Sequence, residues 1–289
     1  MSKFVVEIAK YARSFNSKFL VVPQNGHTIL TENGIVNKNY MNAINGVGQE
    51  SLYYTNNTTT ESGDRKYLTK YLDLAKKSLK AVLVTDYCSN NKYIDDSYAQ
   101  NSKKGYISIA TIRDLTTIPA YPKKPYNENI RNINSLGLAK NFLYLINPDF
   151  ETKLDFLNAV RKTNYDVIII DAYFNSQLLT FDDVQSLKTK ANKGKRLVLS
   201  YLSIGEAEDY RYYWKKDWKF GSPSFLLEEN PGWGGNYKVT YWDPLWKALI
   251  YGNDESYTKK ITKSGFDGVY IDLIDAFQYF EDSTKNLKI

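Results

Sequence analysis

Short runs of apolar and β-branched residues recur along the chain and alternate with stretches whose apolar residues follow a helical spacing. Several runs are apolar on both faces, as in Val167–Ile170 and Leu197–Leu199, which is typical of strands covered on both sides in a parallel sheet. Eight runs of this kind predict strands, and they are Phe19–Pro23, Ile44–Tyr53, Ala81–Tyr87, Tyr106–Thr111, Phe142–Ile146, Val167–Tyr173, Leu197–Ile204 and Gly268–Ile274.

Helical spacing is clearest in Tyr67–Leu79, Lys153–Thr163 and Phe181–Ala191, the last preceded by Thr180 as a predicted N-cap. Strands that alternate with helices predict an α/β fold, and eight strands predict a closed (β/α)₈ TIM barrel. The alternative is an open, doubly wound sheet. For that fold Gly46–Ser51 offers only a faint dinucleotide-binding pattern, because a third glycine is missing.

Two segments interrupt the alternation. Residues 116–140 contain three prolines among lysines and asparagines, which predicts a joining segment or an exposed loop. Glu206–Trp246 is long and rich in aromatic residues, and such an insertion after a barrel strand usually shapes the mouth of the site at the C-terminal face. Alternatively, its tryptophans only pack the insertion against the barrel. They are Trp214, Trp218, Trp233, Trp242 and Trp246.

Composition narrows the classes of function. The 289 residues are 43% hydrophobic, enough for the core of one barrel, and the net charge of +6 comes from scattered lysines, which favour a solvated surface over a nucleic-acid interface. The single cysteine excludes an intrachain disulfide, and the single histidine, His27, argues against a multi-histidine zinc site. The apolar runs are too short for a membrane span, and the first residues lack a signal-peptide pattern, which leaves the cellular location undecided.

Acidic residues follow the predicted strands. In a parallel barrel these positions gather at the C-terminal rim, where active sites are built. One acid there often only caps a helix, whereas carboxyl groups crowded in one pocket push their pKa values apart and supply an acid and a base. The acids are Glu50, Asp86, Asp171, Glu206 and Asp272, and Gln24 and Asn25 follow the first strand.

Paired carboxylates with aromatic walls and few cationic groups indicate cleavage of glycosidic bonds. The sequence predicts no cofactor, because no strong metal-binding or phosphate-loop motif is present. The alternative to a cofactor-free site is that several of these acids bind a metal ion, Mg²⁺ or Ca²⁺.

Specific motifs add a resemblance to a known family. Ser203–Glu208 reads Ser-Ile-Gly-Glu-Ala-Glu and Gly265–Asp272 reads Gly-Phe-Asp-Gly-Val-Tyr-Ile-Asp. With these segments the chain resembles the endo-α-1,4-polygalactosaminidase-like glycoside hydrolases, a family also labelled as related to cysteinyl-tRNA synthetase, although no synthetase nucleotide motif is present. The matches extend over nearly the whole chain and include Val22–Gly26, Gly46–Tyr54, Val84–Tyr87, Ile170–Tyr173, Glu229–Pro231 and Tyr241–Pro244.

The order of the motifs departs from that of the family. Residues 1–115 resemble the C-terminal half of the family, residues 141–289 resemble its N-terminal half, and residues 116–140 join them. The resemblance therefore implies one circularly permuted barrel over 1–289, with its termini meeting near a helix over Phe4–Ala12. A fragment of a tandem array, whose halves pair with another copy of the chain, is the alternative.

The resemblance also implies roles. It places a nucleophile at Asp272 and an acid/base at Glu50, while Asp171 with Glu206 is the alternative pair. It implies a retaining, endo-acting hydrolase of α-linked galactosamine polysaccharide, a cationic substrate suited to an acidic cleft, and a secreted or cell-surface location. A non-catalytic carbohydrate-binding barrel is the competing function. The predicted sugar-binding residues are Gln24, Asn25, Asp86, Asp171, Tyr173, Glu206, Tyr241 and Trp242.

Overall fold

The computed structural model describes residues 1–286, and eight parallel strands form the centre of this part of the chain. Each strand lies within one of the predicted apolar runs, so the predicted α/β class is confirmed. The strands are β1 Leu20–Pro23, β2 Gly46–Glu50, β3 Ala81–Tyr87, β4 Ile107–Thr111, β5 Phe142–Leu145, β6 Val167–Ile170, β7 Leu197–Ser203 and β8 Gly268–Asp272.

The strands pair in two parallel sheets, with orders β1-β8-β7-β6-β5 and β2-β3-β4. The sheets adjoin at β1 and β2, where the Asn45 amide donates to the Val21 carbonyl (2.8 Å) and the Asn25 amide donates to the Gly48 carbonyl (2.9 Å). At the other edges β4 and β5 are in contact. Gly46–Glu50 is a strand of this sheet, which argues against a dinucleotide-binding loop there.

Helices follow most of the strands. Thr180 caps α6 as predicted: its hydroxyl accepts from the Asp183 amide, and the Asp183 carboxylate accepts from the Thr180 amide. Along residues 1–286 no helix is long and apolar enough to cross a membrane. The helices are α1 Ser2–Arg13, α2 Lys38–Ala43, α3 Ser62–Lys77, α4 Asn91–Lys104, α5 Lys153–Arg161, α6 Phe181–Leu187, α7 Pro244–Ile250, α8 Tyr257–Lys263 and α9 Ala276–Asn286, with 3₁₀ turns at His27–Leu30 and Leu136–Leu138.

Helix α6 ends at Leu187, four residues before the predicted end at Ala191. There Thr189 pairs with Lys195 in an antiparallel bridge. A tight turn reverses the chain between these two residues and leads it into β7, so the helical spacing of the sequence continues beyond the helix itself.

Side chains from strands that are not adjacent in the sheets meet in the space that the strands surround. The rings of Tyr144 on β5 and Tyr270 on β8 meet edge to face, with centroids 5.2 Å apart. A Cβ atom on Gly48 would lie 2.0 Å from the Tyr270 hydroxyl. Glycine is therefore required at this position of β2, because any side chain would collide with the Tyr270 ring.

The joining segment 116–140 has little regular structure. Hydrogen bonds attach it to residues just before the amino-terminal ends of β6 and β7. The Ile133 amide donates to the Lys195 carbonyl (3.0 Å), and Asn129 donates to Asp166 (2.8 Å). Asp166 also forms a fully buried ion pair with Lys190 (2.9 Å). The segment is thus packed against the body of the fold.

The aromatic insertion forms a small antiparallel sheet of Glu206–Glu208, Asn236–Val239 and Leu226–Glu229, with the second strand in the middle. It is held to β7 through Trp246, whose buried ring nitrogen donates to the Ile204 carbonyl (2.9 Å). Short two-stranded hairpins extend other connections, at Thr31–Glu32 with Ile35–Val36, Tyr54–Thr55 with Thr58–Thr59, and Tyr173–Phe174 with Gln177–Leu178.

Candidate functional site

A cavity of about 490 Å³ opens at the carboxyl ends of the strands. Glu50 is the last residue of β2, Asp272 is the last residue of β8, and Asp171 directly follows β6. Among the described residues, six acids and two arginines line the cavity, which makes it strongly acidic on a chain of net charge +6. The acids are Glu50, Asp171, Glu206, Glu208, Asp272 and Asp275, and the arginines are Arg113 and Arg211.

Asp272 is held by three neutral donors. The amide side chain of Gln24 and the backbone amide of Leu273 each donate to Oδ1 at 2.8 Å, and the Tyr201 hydroxyl donates to Oδ2 at 2.9 Å. Burial raises the pKa of Asp272, and these hydrogen bonds oppose the rise. The donors fix both oxygens, so the carboxylate has one orientation in the cavity.

Glu50 lies close enough to Asp272 for their charges to interact. Its Oε2 accepts from Asn25 (2.9 Å), and its Oε1 accepts from the Tyr87 hydroxyl. Burial, and after it the charge of Asp272, raises the pKa of Glu50 to about 7. Glu50 therefore retains a proton up to about neutral pH, well above the usual range of a glutamate.

The backbone around these two acids is strained. Asn25, Ser51 and Leu273, each next to a strand end, have φ angles of 59°, 56° and 58°. Non-glycine residues rarely adopt this left-handed conformation, and such strain is concentrated at functional sites. The Leu273 amide, at one of these positions, donates to Asp272.

Asp275 is a third acid on the same side of the cavity, and the sequence reasoning missed it. Burial and the neighbouring Asp272 raise the pKa of Asp275 to about 6, against a hydrogen bond from its own backbone amide. Its side chain makes no hydrogen bond or ion pair with any other residue that the structure describes. The only feature of the sequence that could have indicated it was its position three residues after Asp272, the last residue of the β8 motif.

A second group of acids is neutralised by Arg211. One guanidinium nitrogen, Nη1, lies 2.8 and 2.7 Å from the two oxygens of Asp171, and Nε donates to Glu208. The Tyr257 hydroxyl accepts from the same Nη1 (2.8 Å). Burial raises the pKa of Asp171, and Arg211 opposes the rise. Both oxygens of Asp171 are thus occupied by a cation of the protein.

Glu206, the first residue of the small antiparallel sheet, is only 5% exposed. Its Oε1 accepts from Asn230 (2.8 Å), while Oε2 is buried and makes no hydrogen bond of good geometry within the described residues. Burial raises the pKa of Glu206, and Asn230 and Asn236 oppose the rise.

Gln24 and Asp86 lie beneath the cavity wall. Gln24 is fully buried and acts on the site through Asp272. The Asp86 carboxylate accepts from the amides of Tyr53 (2.7 Å) and Tyr54 (3.2 Å), and from Ser97 and Asn101. It is fully buried, so the structure does not bring Asp86 to the cavity. It fixes instead the loop that follows Glu50.

The predicted aromatic residues divide into two groups. Tyr173 lines an adjoining cavity of about 620 Å³ and stacks on Tyr212, with ring centroids 5.7 Å apart. Tyr241 and Trp242 contact each other and Phe280 of α9 and do not line the main cavity.

Several residues that line the main cavity were not among the ligand-binding residues predicted from the sequence. Trp233 of the insertion lines it, with Arg113 over its ring at 5.4 Å. Tyrosines on three strands also line it, Tyr87, Tyr144 and Tyr201. Strand periodicity was a usable signal for the tyrosines, but the irregular insertion offered none for Trp233.

The histidine and the possible metal ligands lie apart from this arrangement. His27 is buried against Gln49 (2.8 Å), and burial lowers the pKa of its ring to about 4, so it is neutral at physiological pH. Among the side chains that the structure describes, no three of His, Cys, Asp or Glu are placed to hold one metal ion.

Comparison with known proteins identifies relatives of part of the chain. An uncharacterized protein of Deinococcus radiodurans is 40% identical over 126 residues, which is 42% of this chain and 37% of that protein. An uncharacterized protein of Methanocaldococcus jannaschii is 34% identical over 159 residues, 54% of this chain and 42% of that protein. One of Thermotoga maritima is 45% identical over 82 residues, 28% of this chain and 24% of that protein. The chain spans less than half the length of each of these relatives.

The model of the glycoside-hydrolase family GH114 matches residues 144–289, just over half of the chain. The match runs from β5 beyond β8 and includes Asp171, Glu206, Asp272 and Asp275, while Glu50 lies outside it. The chain belongs to the glycoside-hydrolase family GH114.

Proposed function

We propose that the chain is a glycoside hydrolase that cleaves α-linked galactosamine-containing polysaccharide through Asp272 and Glu50. The observation that carries the proposal is the pair itself: two partly buried carboxyl groups from different strands line one cavity and interact electrostatically. A carboxylate pair of this kind is the machinery that most glycoside hydrolases use.

Hydrogen bonding supports a division of roles within the pair. Three neutral donors reach Asp272 and two reach Glu50, so ionisation is favoured at Asp272 and the proton is retained by Glu50. In the proposed first step, an oxygen of Asp272 bonds to the anomeric carbon while the bond to the leaving oxygen breaks. Glu50 donates its proton to that oxygen. It then takes a proton from the water that displaces Asp272, so the anomeric configuration is retained.

The alternative pair of Asp171 and Glu206 is less suited to this chemistry. Arg211 occupies both oxygens of Asp171, so nucleophilic attack by this carboxylate would break two charged hydrogen bonds. We propose that Asp171 and Glu208, with Arg211, form the wall between the two adjoining cavities.

The charge and length of the cleft support the proposed substrate. The six acids around the main cavity attract a polymer that carries free amines. The adjoining cavity shares Asp171, Tyr210 and Arg211 with the main one. Together the cavities have room for more than one sugar unit, which favours endo action.

We also propose that the two sheets close into one circularly permuted (β/α)₈ barrel. Hydrogen bonds between β1 and β2 and contact between β4 and β5 support closure. The permuted order assigns 141–289 to the family's first half and 1–115 to its second, and the family match begins just after the joining segment 116–140, where this assignment places a boundary. In addition, Glu281 of α9 lies near enough to the Met1 amino group to act on its charge, so α1 and α9 are neighbours. Both halves meet within one chain, so pairing with a second copy is not required.

The test is to incubate the purified chain with a panel of amino-sugar polymers and to identify the products by mass spectrometry. We expect shortened galactosamine oligomers from the wild type, and none at matched enzyme concentration from Asp272→Asn or Glu50→Gln. The specificity constant kcat/KM should fall above about pH 7, because Glu50 then loses the proton that it donates. Binding of the polymers without any product would indicate a non-catalytic carbohydrate-binding barrel, and full activity in both variants would reject the assigned pair.

A further inference from the structure

A series of side-chain hydrogen bonds connects His27, the single histidine, to Glu50. The His27 Nε2 lies 2.8 Å from Oε1 of Gln49, Nε2 of Gln49 donates to Oδ1 of Asn25 (3.3 Å), and Nδ2 of Asn25 donates to Oε2 of Glu50 (2.9 Å). His27 and Gln49 are buried behind the cavity wall, whereas Asn25 and Glu50 line the main cavity. We call these four residues the His27 network.

Two backbone groups of Glu50 fix the direction of the network. The two ends of a side-chain amide have nearly the same shape, but one donates and the other accepts. The Glu50 amide donates to Oδ1 of Asn25 (3.2 Å), so the donor end of Asn25 faces the Glu50 carboxyl group. The Glu50 carbonyl accepts from Nε2 of Gln49, so the acceptor end of Gln49 faces His27.

This direction also settles which nitrogen of His27 carries the proton. Because Oε1 of Gln49 can only accept, Nε2 of His27 is the donor. Burial lowers the pKa of His27 to about 4, so the ring is neutral at neutral pH and its one N–H group is on Nε2. The histidine therefore anchors Gln49 without adding a charge near the acids.

Loss of the His27 donor would disturb the network as far as Glu50. Gln49 is only 4% exposed, so its Oε1 would remain buried without a partner, which is unfavourable. Rotation of the amide would instead turn Oε1 towards two acceptors, Oδ1 of Asn25 and the Glu50 carbonyl. Either outcome weakens the contacts that orient Asn25.

We propose that His27 is a positioning residue for the hydrolase reaction, which acts through Gln49 and Asn25 to hold the Glu50 carboxyl group in place. An N–H donor favours the charged form of a carboxyl group, and Asn25 lowers the pKa of Glu50 in this way. The network therefore sets the acidity of Glu50 as well as its orientation. The inference rests on the proposed role of Glu50, but it concerns a residue outside the cavity lining.

Other titratable groups also act on Glu50, and substitution of His27 removes none of them. Asp272 and Asp275 raise its pKa, and the Tyr87 hydroxyl lowers it. The charge of Glu50 in turn acts on the tyrosines that face it, Tyr87, Tyr144 and Tyr270. A change in the pKa of Glu50 in a His27 variant thus reports on the contact with Asn25.

The first test measures kcat/KM against pH on galactosamine oligomers. We expect His27→Leu to lower kcat by about tenfold and to move the alkaline limb of the profile upward by about half a pH unit, since Glu50 loses a donor. His27→Gln places an amide N–H group where it can donate to Gln49, and should return both values towards those of the wild type. The matched control is Leu30→Ala, which removes a buried side chain from the same 3₁₀ turn. It should lower the melting temperature and leave the limb in place.

A titration that needs no turnover separates failure of this inference from failure of the proposed function. The pKa of Glu50 is followed by NMR of ¹³C-labelled glutamate, with Glu50→Gln to assign the signal. A higher pKa in His27→Leu than in the wild type and His27→Gln would support the inference even if no polymer were cleaved. Gln49→Met interrupts the same network one residue further on and should raise the pKa equally, so it serves if His27→Leu does not fold. An unchanged pKa of Glu50 in the folded variant would overturn the inference, as would an equal shift in Leu30→Ala or in His27→Gln.

Discussion

Two groups of acids face the same cavity in opposite electrostatic states. In the arginine cluster, Asp171 and Glu208 are bound by Arg211. In the carboxyl cluster, Glu50, Asp272 and Asp275 lie together without a cation among the described residues, and burial raises the pKa of each. The arginine cluster is buried, whereas the side chains of the carboxyl cluster are only partly buried and face the cavity.

The difference indicates which cluster can exchange protons. At Asp171 the Arg211 guanidinium opposes the rise in pKa that burial causes, and its hydrogen bonds hold the carboxylate in one position as a wall of the cleft. Carboxyl groups that repel one another are held near the pH at which they gain or lose a proton, and this property is what acid/base catalysis requires. The arginine cluster therefore shapes the cleft, and the carboxyl cluster is suited to the chemistry.

The largest expected effect comes from removing the central charge of the carboxyl cluster. Asp272→Asn should lower kcat by about 10⁴-fold or more, because the proposed nucleophile is lost while the shape of the side chain is kept. The melting temperature should stay close to that of the wild type, since the substitution also removes like-charge repulsion. Steady-state kinetics with thermal unfolding measures both quantities. Asp182→Asn, an exposed acid in the first turn of α6, is the control, and a variant that keeps more than a tenth of wild-type kcat would contradict the assignment.

The arginine cluster should respond in the opposite way, through stability. Arg211→Met leaves Asp171 and Glu208 buried without their cation, and breaking a buried pair in this way costs about 3–5 kcal/mol. We expect a fall in melting temperature of roughly 10 °C. Arg113→Met is the matched control, because Arg113 is exposed and lies over the Trp233 ring. Equal small losses in the two variants would show that the arginine cluster does not stabilise the fold.

The sequence carried enough information to predict the strands and the rim of acids, because buried parallel strands are apolar on both faces and acids at their ends share one rim. The choice of Asp272 and Glu50 among those acids rested on the family resemblance. Alternation of side chains along a strand explains why Asp86, predicted to bind sugar, lies outside the cavity. Tyr87 of β3 faces the cavity, so Asp86, one residue earlier, faces the other side. The same period places Gly48 and Glu50 of β2 on one face, opposite Tyr270.

Other parts of the site depend on contacts that no local pattern encodes. Arg211 reaches Asp171 across 40 positions in the sequence, and nothing near either residue indicates the pairing. In the irregular insertion, Trp233 faces the cavity while Trp242 packs on α9. Aromatic residues there have no periodicity from which to infer their direction.

The smallest expected effect concerns the pH dependence of stability within the carboxyl cluster. The pKa of Glu50 is about 7 in the folded chain and near its ordinary value of 4.5 when unfolded. The folded state therefore holds a proton between about pH 4.5 and 7 that the unfolded state has lost, so wild-type stability falls as the pH rises through this window. Glu50→Gln removes this loss. The melting temperature of the variant minus that of the wild type should therefore be roughly 3 °C larger at pH 8 than at pH 5.

A melting curve at each pH, with Glu32→Gln as an exposed control, isolates this effect from any constant cost of the amide. Such a cost would shift the Glu50→Gln curve equally at all pH values, whereas relief of repulsion adds a shift that grows only above about pH 5. If the difference between the variant and the wild type were the same at pH 5 and pH 8, Glu50 would not be a protonated acid at neutral pH. The carboxyl cluster would then lose the property that distinguishes it from the arginine cluster.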